Sequence, residues 1–116
     1  MTDTSLMLQE AMSAADCVAL QLSQDVERYA ELGRTLRSTN FNSAVTVARG
    51  SSDHASGYVA YLIMSRMGRL VTSLPMSLIT LYKSPLVTRD TLAISISQSG
   101  QSPDVVEPIR YFRDGG

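Results

Sequence analysis

Two serine-rich stretches carry the side chains best suited to chemistry. Residues 49–54 have the sequence RGSSDH, and residues 97–102 have the sequence SQSGQS. Serine hydroxyls and backbone N–H groups donate neutral hydrogen bonds, and glycine lets the backbone turn tightly against a ligand. These residue types together suit an anion such as a phosphate, held without a metal ion or a lysine.

Each stretch is placed by the elements on either side of it. Residues 44–48 are apolar and β-branched without alternation, which predicts a short strand buried on both faces. Residues 91–95, continuing into Ile96, predict another strand. A helix is expected over roughly 54–67 after the first stretch, and another begins at Pro103 after the second, with Ser102 as its N-cap.

The remaining patterns complete an α/β fold class. Apolar positions predict N-terminal helices over 6–15 and 16–38, and residues 70–74 predict a further strand. Residues 76–82 are ambiguous between helix and loop. Pro108 is expected to kink or loosen the last helix, because its nitrogen cannot donate a hydrogen bond. Alternating strands and helices predict a three-layer α-β-α arrangement around a parallel sheet, with residues 1–40 as N-terminal helices and residues 41–116 carrying the sheet.

In such a sheet ligands bind beyond the carboxyl ends of the strands, where free N–H groups and the positive end of a helix dipole lie. We expect four serines to bind the anion, two neighbours to reach the rest of the ligand, and two glycines to shape the loops. The four serines are Ser52, Ser97, Ser99 and Ser102, the two neighbours are Ser51 and Gln98, and the two glycines are Gly50 and Gly100. The alternative is that the same residues only cap helices and form turns.

Composition and single residues exclude several classes of function. Ten Lys and Arg against eleven Asp and Glu give a net charge of −1, which argues against nucleic-acid binding and a polybasic membrane arm. No long apolar run or signal peptide is present. Cys17 and His54 each stand alone, which excludes an intrachain disulfide and the common zinc sites. We therefore expect a cytoplasmic protein that uses no metal and no organic cofactor. The glycine fingerprint of a nicotinamide dehydrogenase is also missing.

The two stretches resemble a known family. Residues 94–102 (ISISQSGQS), together with residues 49–55 (RGSSDHA), are similar to the sugar isomerase (SIS) domain. The resemblance is strongest to the first SIS domain of glucosamine–fructose-6-phosphate aminotransferases and of isomerizing glucosamine-6-phosphate deaminases, and it covers nearly the whole chain. It implies a flavodoxin-like fold of five parallel strands and a phosphate held by Ser97, Gln98, Ser99 and Ser102. Ser52 is a further matching position, with Ser51 beside it.

The resemblance implies that the residues that catalyse isomerisation lie in another domain. Aldose–ketose isomerisation needs a positioned base and a group that opens the sugar ring. In two-domain relatives the resemblance puts those groups in the second SIS domain and its neighbours, and no position here matches them. Glu107 is expected on a solvated helix face, and Glu10 and Glu27 lie on predicted helices with no nearby partner. Asp53 and His54 lie in the first loop; His54 matches a histidine of the aminotransferases, but packing or capping at a helix start is the favoured role for it. No catalytic residue is therefore predicted.

The expected function is sugar-phosphate binding by an SIS domain of an amino-sugar phosphate isomerase or deaminase, acting on glucosamine 6-phosphate or fructose 6-phosphate. The alternative is a non-catalytic SIS module that senses a sugar phosphate. With three recognisable strands, the sequence is expected to be the first part of a domain, truncated after the third strand. A homodimer is expected from the resemblance. Arg49 has two open roles, contact with an anion or an ion pair with Asp53.

Overall fold

A computed structural model describes residues 5–116. The elements, in chain order, are α1 (Leu6–Ser38), β1 (Ser43–Val47), α2 (Ser51–Met67), β2 (Leu70–Ser73), α3 (Ser77–Thr80), β3 (Thr91–Ser95) and α4 (Pro103–Asp114). This order confirms the α/β fold class. It also resolves the ambiguous residues 76–82 as a single helical turn.

The contacts divide the chain after Asn40. Within the first unit, α1 is one helix of 33 residues, so the prediction of two helices over 6–15 and 16–38 was wrong. No glycine or proline lies near the expected break, and the Gly33 that weakens the helix does not end it. The Ser5 hydroxyl caps the start of α1 by accepting a hydrogen bond from the Leu8 N–H at 3.4 Å. Residues 1–4 of the predicted N-terminal region lie outside the described residues.

The second unit is built on a parallel three-stranded sheet with the order β2-β1-β3. Strand β1 pairs with β2 from Ser43 opposite Leu70, and with β3 from Ser43 opposite Thr91. Strand β1 pairs on both edges, and helices α2 and α4 contact it, so four consecutive residues from Ala44 to Val47 are buried. Both the parallel sheet and the doubly buried first strand are therefore confirmed.

The main core lies on one face of this sheet. It consists of residues from β1, from the segment after β2, from α3 and from α4: Val45, Val47, Leu74, Ile79, Val105 and Phe112. Because side chains alternate along a strand, Ala44 and Thr46 point to the opposite face. Helix α2 packs against β1 and β2 with its own buried residues outside that core. The result is the predicted three-layer arrangement.

The start of α2 differs from its predicted boundary, and α4 contains the proline that was expected to kink or loosen it. Helix α2 begins at Ser51, three residues before the predicted start, because the chain turns at Gly50 and the Asp53 N–H bonds the Gly50 carbonyl at 3.1 Å. Helix α4 continues without interruption across Pro108, which is fully buried. Burial of the proline ring against the core offsets the hydrogen bond that its nitrogen cannot make.

Candidate functional site

The sheet register brings the two serine-rich loops to one edge. Val47, the last residue of β1, lies opposite Ser95, the last residue of β3. Adjacent strands are spaced by about 4.8 Å, so the two loops leave the sheet side by side. The first loop leads into α2 and the second into α4, and both helices therefore present their N-termini at this edge.

The first loop turns at a glycine. Gly50 has φ 59° and ψ −134° and stands at the N-cap of α2, followed by Ser51 and Ser52 as the first helical residues. Their N–H groups have no acceptor within the helix, as at any helix start, and remain available to a ligand. Ser52 is half-buried while Ser51 is exposed. The buried Ser56 donates its hydroxyl to the Ser52 carbonyl at 3.1 Å and so fixes this turn.

The backbone at Gly50 leads to a first prediction. Replacing Gly50 with alanine should destabilise the fold by about 1–3 kcal/mol, because an L-residue is strained at this positive φ even though a Cβ would meet no atom within 4 Å. The matched control is Gly57→Ala in the middle of α2, where a Cβ also meets nothing within 4 Å. That variant should stabilise by about 0.5–1 kcal/mol. Urea unfolding of both variants measures the two effects, and equal signs would contradict the assigned turn.

The second loop is organised by its own hydroxyls. The Ser97 Oγ accepts a hydrogen bond from the Gly100 N–H at 3.1 Å, and the Ser99 Oγ accepts one from the Gln101 N–H at 3.3 Å. Gly100 has a φ of 63°, which closes the turn. A hydroxyl that accepts in this way keeps its own proton to donate. Ser97 and Ser99 are therefore prepared as donors to an anion.

The helix that follows starts as predicted. Ser102 is the N-cap of α4 and Pro103 the first helical residue. The Ser102 hydroxyl makes no capping hydrogen bond, so it does not fill the structural role that would compete with a ligand. Ser102 is half-buried, like Ser97, whereas Gln98 and Ser99 are exposed. The structure thus places all the predicted loop residues along one edge, and their contact with a ligand stays a prediction.

One contact at the site was not predicted from the sequence. The Arg49 guanidinium, just beyond β1, forms an ion pair with the Asp104 carboxylate in the first turn of α4. Of the two roles left open for Arg49, the pair with Asp53 is not the one formed. Arg49 lies two residues beyond β1, and Asp104 lies at the start of the helix that follows β3, so the pair can be inferred once those strands are known to be neighbours.

Of two surface cavities near the sheet, one borders the serine-rich loops and the other does not. A cavity of about 410 Å³ borders the second loop at Ser97 and Gly100 and extends along α4 to Arg110 and Arg113. A larger hollow of about 740 Å³ lies at the opposite edge of the sheet, beside the segment that precedes β3. Within residues 5–116, the N-termini of α2 and α4 and the predicted hydroxyl donors lie at the loop edge, which makes this edge the candidate site.

The titratable side chains considered for catalysis are not arranged for proton transfer. The Glu107 carboxylate accepts from the Lys83 ammonium at 2.7 Å, and Asp53 and His54 are exposed at the start of α2. Glu10 and Glu27 are exposed on α1. Across residues 5–116, no group of three or more His, Cys, Asp or Glu side chains is arranged to hold a metal ion. No helix in this part of the chain has the length and apolar character needed to cross a membrane.

Comparisons with known proteins agree on one kind of relative. The chain is 32% identical over 93 residues to a glutamine–fructose-6-phosphate aminotransferase (isomerizing) from Thermus thermophilus, a match that covers 80% of this chain and 15% of the relative. The enzyme of the same name from Methanocaldococcus jannaschii is 29% identical over 107 residues, with 92% of this chain and 9% of the relative covered. The chain thus spans a small fraction of these relatives. No protein-family model matches the sequence.

A solved structure supports the same assignment. The crystal structure of a proposed phosphosugar isomerase from Silicibacter pomeroyi has a TM-score of 0.83 to this chain at 33% identity. The match covers 90% of this chain and 32% of the other. The parallel α/β sheet, the paired serine loops and these relatives lead to one conclusion. The chain belongs to the SIS, or sugar isomerase, domain family.

Proposed function

We propose that this chain binds a phosphorylated hexose through its phosphate, at the edge formed by residues 49–54 and 97–102. The observation that carries the proposal is the pairing of Val47 with Ser95, which sets the two loops and the N-termini of α2 and α4 side by side. N–H groups, hydroxyl donors and the N-termini of two helices then lie at the same edge of the sheet. Such a set of donors favours an anion over a neutral sugar.

The substrate class follows from the relatives. The aminotransferases that the chain resembles are named for fructose 6-phosphate, and the structural relative is named for a phosphosugar. We propose fructose 6-phosphate or glucosamine 6-phosphate as the ligand, within an amino-sugar phosphate isomerase, deaminase or aminotransferase. The residues that bind the phosphate are proposed to be Ser52, Ser97, Gln98, Ser99 and Ser102.

A comparison of phosphorylated and unphosphorylated sugars tests this function. Glucosamine 6-phosphate and fructose 6-phosphate should bind at least about tenfold more tightly than glucosamine and fructose, because charge-assisted hydrogen bonds to the phosphate provide most of the affinity. An NMR titration of the isotope-labelled chain measures the affinity and locates the site at the loop amides. Equal affinity for sugar and sugar phosphate, or shifts confined to other residues, would contradict the proposal.

A sensing module remains the second candidate, and one contact favours it. The Glu107 carboxylate is held by Lys83 in an ion pair, so this acid is not free to act as the base for isomerisation. The described residues therefore offer groups that hold a phosphate without an assigned base. Incubation with fructose 6-phosphate tests whether these residues contain the base: conversion would contradict the sensing module, and binding without conversion would support it for the described residues. The homodimer and the cytoplasmic location also stay predictions.

A further inference from the structure

The ion pair between Arg49 and Asp104 is the feature from which we argue. It joins two residues that are 55 positions apart, one beyond β1 and one in the first turn of α4. The two side chains are 61% and 47% exposed. Exposed ion pairs contribute little to folding stability, so holding the loops together is not sufficient reason for this contact.

The charges around the loops give the pair another role. Residues 49–54 and 97–104 contain one arginine, Arg49, and two aspartates, Asp53 and Asp104. Each aspartate lies in the first turn of its helix, where the dipole favours a negative charge. The same two carboxylates repel a phosphate that approaches the helix N-termini. Arg49 is the cation in these two segments that opposes this repulsion.

We infer that Arg49 neutralises Asp104 at the mouth of the site and so sets the affinity of the site for anionic ligands, an inference that rests on the proposed function. The Arg49 guanidinium is paired with the carboxylate in the first turn of α4, directly after the second loop. A phosphate bound at Ser97 and Ser102 then meets a neutral pair rather than a bare carboxylate. Arg49 is thus a specificity-determining residue for phosphorylated ligands.

Substitutions of the two partners of the ion pair should change the affinity for the ligand in opposite directions. Arg49→Gln leaves Asp104 uncompensated, and it should weaken glucosamine 6-phosphate binding about tenfold, the scale of one charge acting on a phosphate through partly excluded water. Asp104→Asn releases Arg49 to the ligand and should tighten binding about threefold. The double variant removes both charges, and its affinity should lie between those of the two single variants. A contact that merely held the loops together would weaken binding in both single variants.

Salt dependence provides an independent readout. Titrations of the chain with glucosamine 6-phosphate and with inorganic phosphate are compared at low salt and at about 1 M salt, where the Debye length falls to about 3 Å. The differences between the variants should shrink at high salt for both probes. A loss of affinity caused by a distorted loop would persist.

Two matched variants control for charge alone. Arg66→Gln removes an exposed arginine from the last turn of α2, about 22 Å along that helix from Ser51, and Glu107→Gln removes a carboxylate that pairs with Lys83. Both should leave the affinity within about twofold of the unmodified chain. An Arg66→Gln loss equal to that of Arg49→Gln would overturn the inference, because the effect would then follow from the net charge of the chain and not from the pair with Asp104.

The outcomes separate this inference from the proposed function. If the unmodified chain binds neither probe, the proposed function fails and the inference fails with it. If it binds and Ser97→Ala/Ser99→Ala abolishes binding, while Arg49→Gln has no effect or Asp104→Asn weakens binding, only the inference is overturned. Opposite, salt-sensitive effects of the two single variants support it. Thermal unfolding of each variant shows whether it is folded before titration.

Discussion

The double variant Ser97→Ala/Ser99→Ala should lose sugar-phosphate affinity by a factor of about one hundred or more. Each hydroxyl accepts an N–H from within the loop and keeps its own proton for the phosphate. A hydrogen bond to a charged group contributes about 1.5–3 kcal/mol, so losing two of them costs at least about 3 kcal/mol. The loop also loses the two contacts that hold its turn, which adds to the effect.

The measurement is a titration of glucosamine 6-phosphate into the double variant and a matched control. Ser23→Ala/Ser65→Ala also removes two exposed hydroxyls, but these donate back to carbonyls of their own helices, those of Leu20 and Leu62. The control should bind like the unmodified chain. Equal binding by all three proteins would show that the phosphate is not held by this loop.

Replacing Phe112 with alanine should have the largest effect on folding, a loss of about 3–5 kcal/mol of unfolding free energy. Phe112 is only 6% exposed and belongs to the core cluster with Val45 and Val47 of the central strand. Its ring is the largest side chain that α4 places in that cluster. Domains of this size are stable by about 5–15 kcal/mol, so the variant comes close to unfolding.

Chemical unfolding in urea measures this loss, and Tyr61→Ala provides the control. Tyr61 is an aromatic residue on α2 that is 65% exposed, so its truncation removes little buried area and should change stability by less than about 0.5 kcal/mol. Sugar-phosphate binding should also weaken in Phe112→Ala, because α4 carries Ser102 and Asp104 at its N-terminus. A similar cost for both substitutions would contradict the packing of α4 on the sheet.

Local features of this fold were accessible from short windows of sequence. The β-branched stretch without polar alternation at residues 44–48 predicted a buried strand, and Ser102 before Pro103 predicted the start of α4. Both depend on side-chain burial and backbone sterics within a few residues. The first residue of α2 was harder to predict from the sequence. The turn at Gly50 starts the helix three residues early, and no apolar period marks that first turn.

The prediction of two N-terminal helices failed for a related reason. Periodicity detects an apolar face but not the continuity of a helix, and α1 continues through residue 16 because nothing there breaks its hydrogen bonds. The full burial of Pro108 within α4 likewise depends on packing against the core, which a local pattern does not contain. In both cases packing or hydrogen bonding over a longer range decided the outcome.

The sequence by itself determined the residue types of the site: hydroxyls, N–H donors at two helix starts, and glycines that turn the loops. Only the tertiary structure decided which strands are neighbours, and with them the pairing of Val47 with Ser95 and the contact of Arg49 with Asp104. Those partners are separated by about half the chain, and their contact depends on the burial of both faces of β1. Local residue types therefore determine which groups can bind a ligand. Long-range packing determines which charged groups lie beside that ligand.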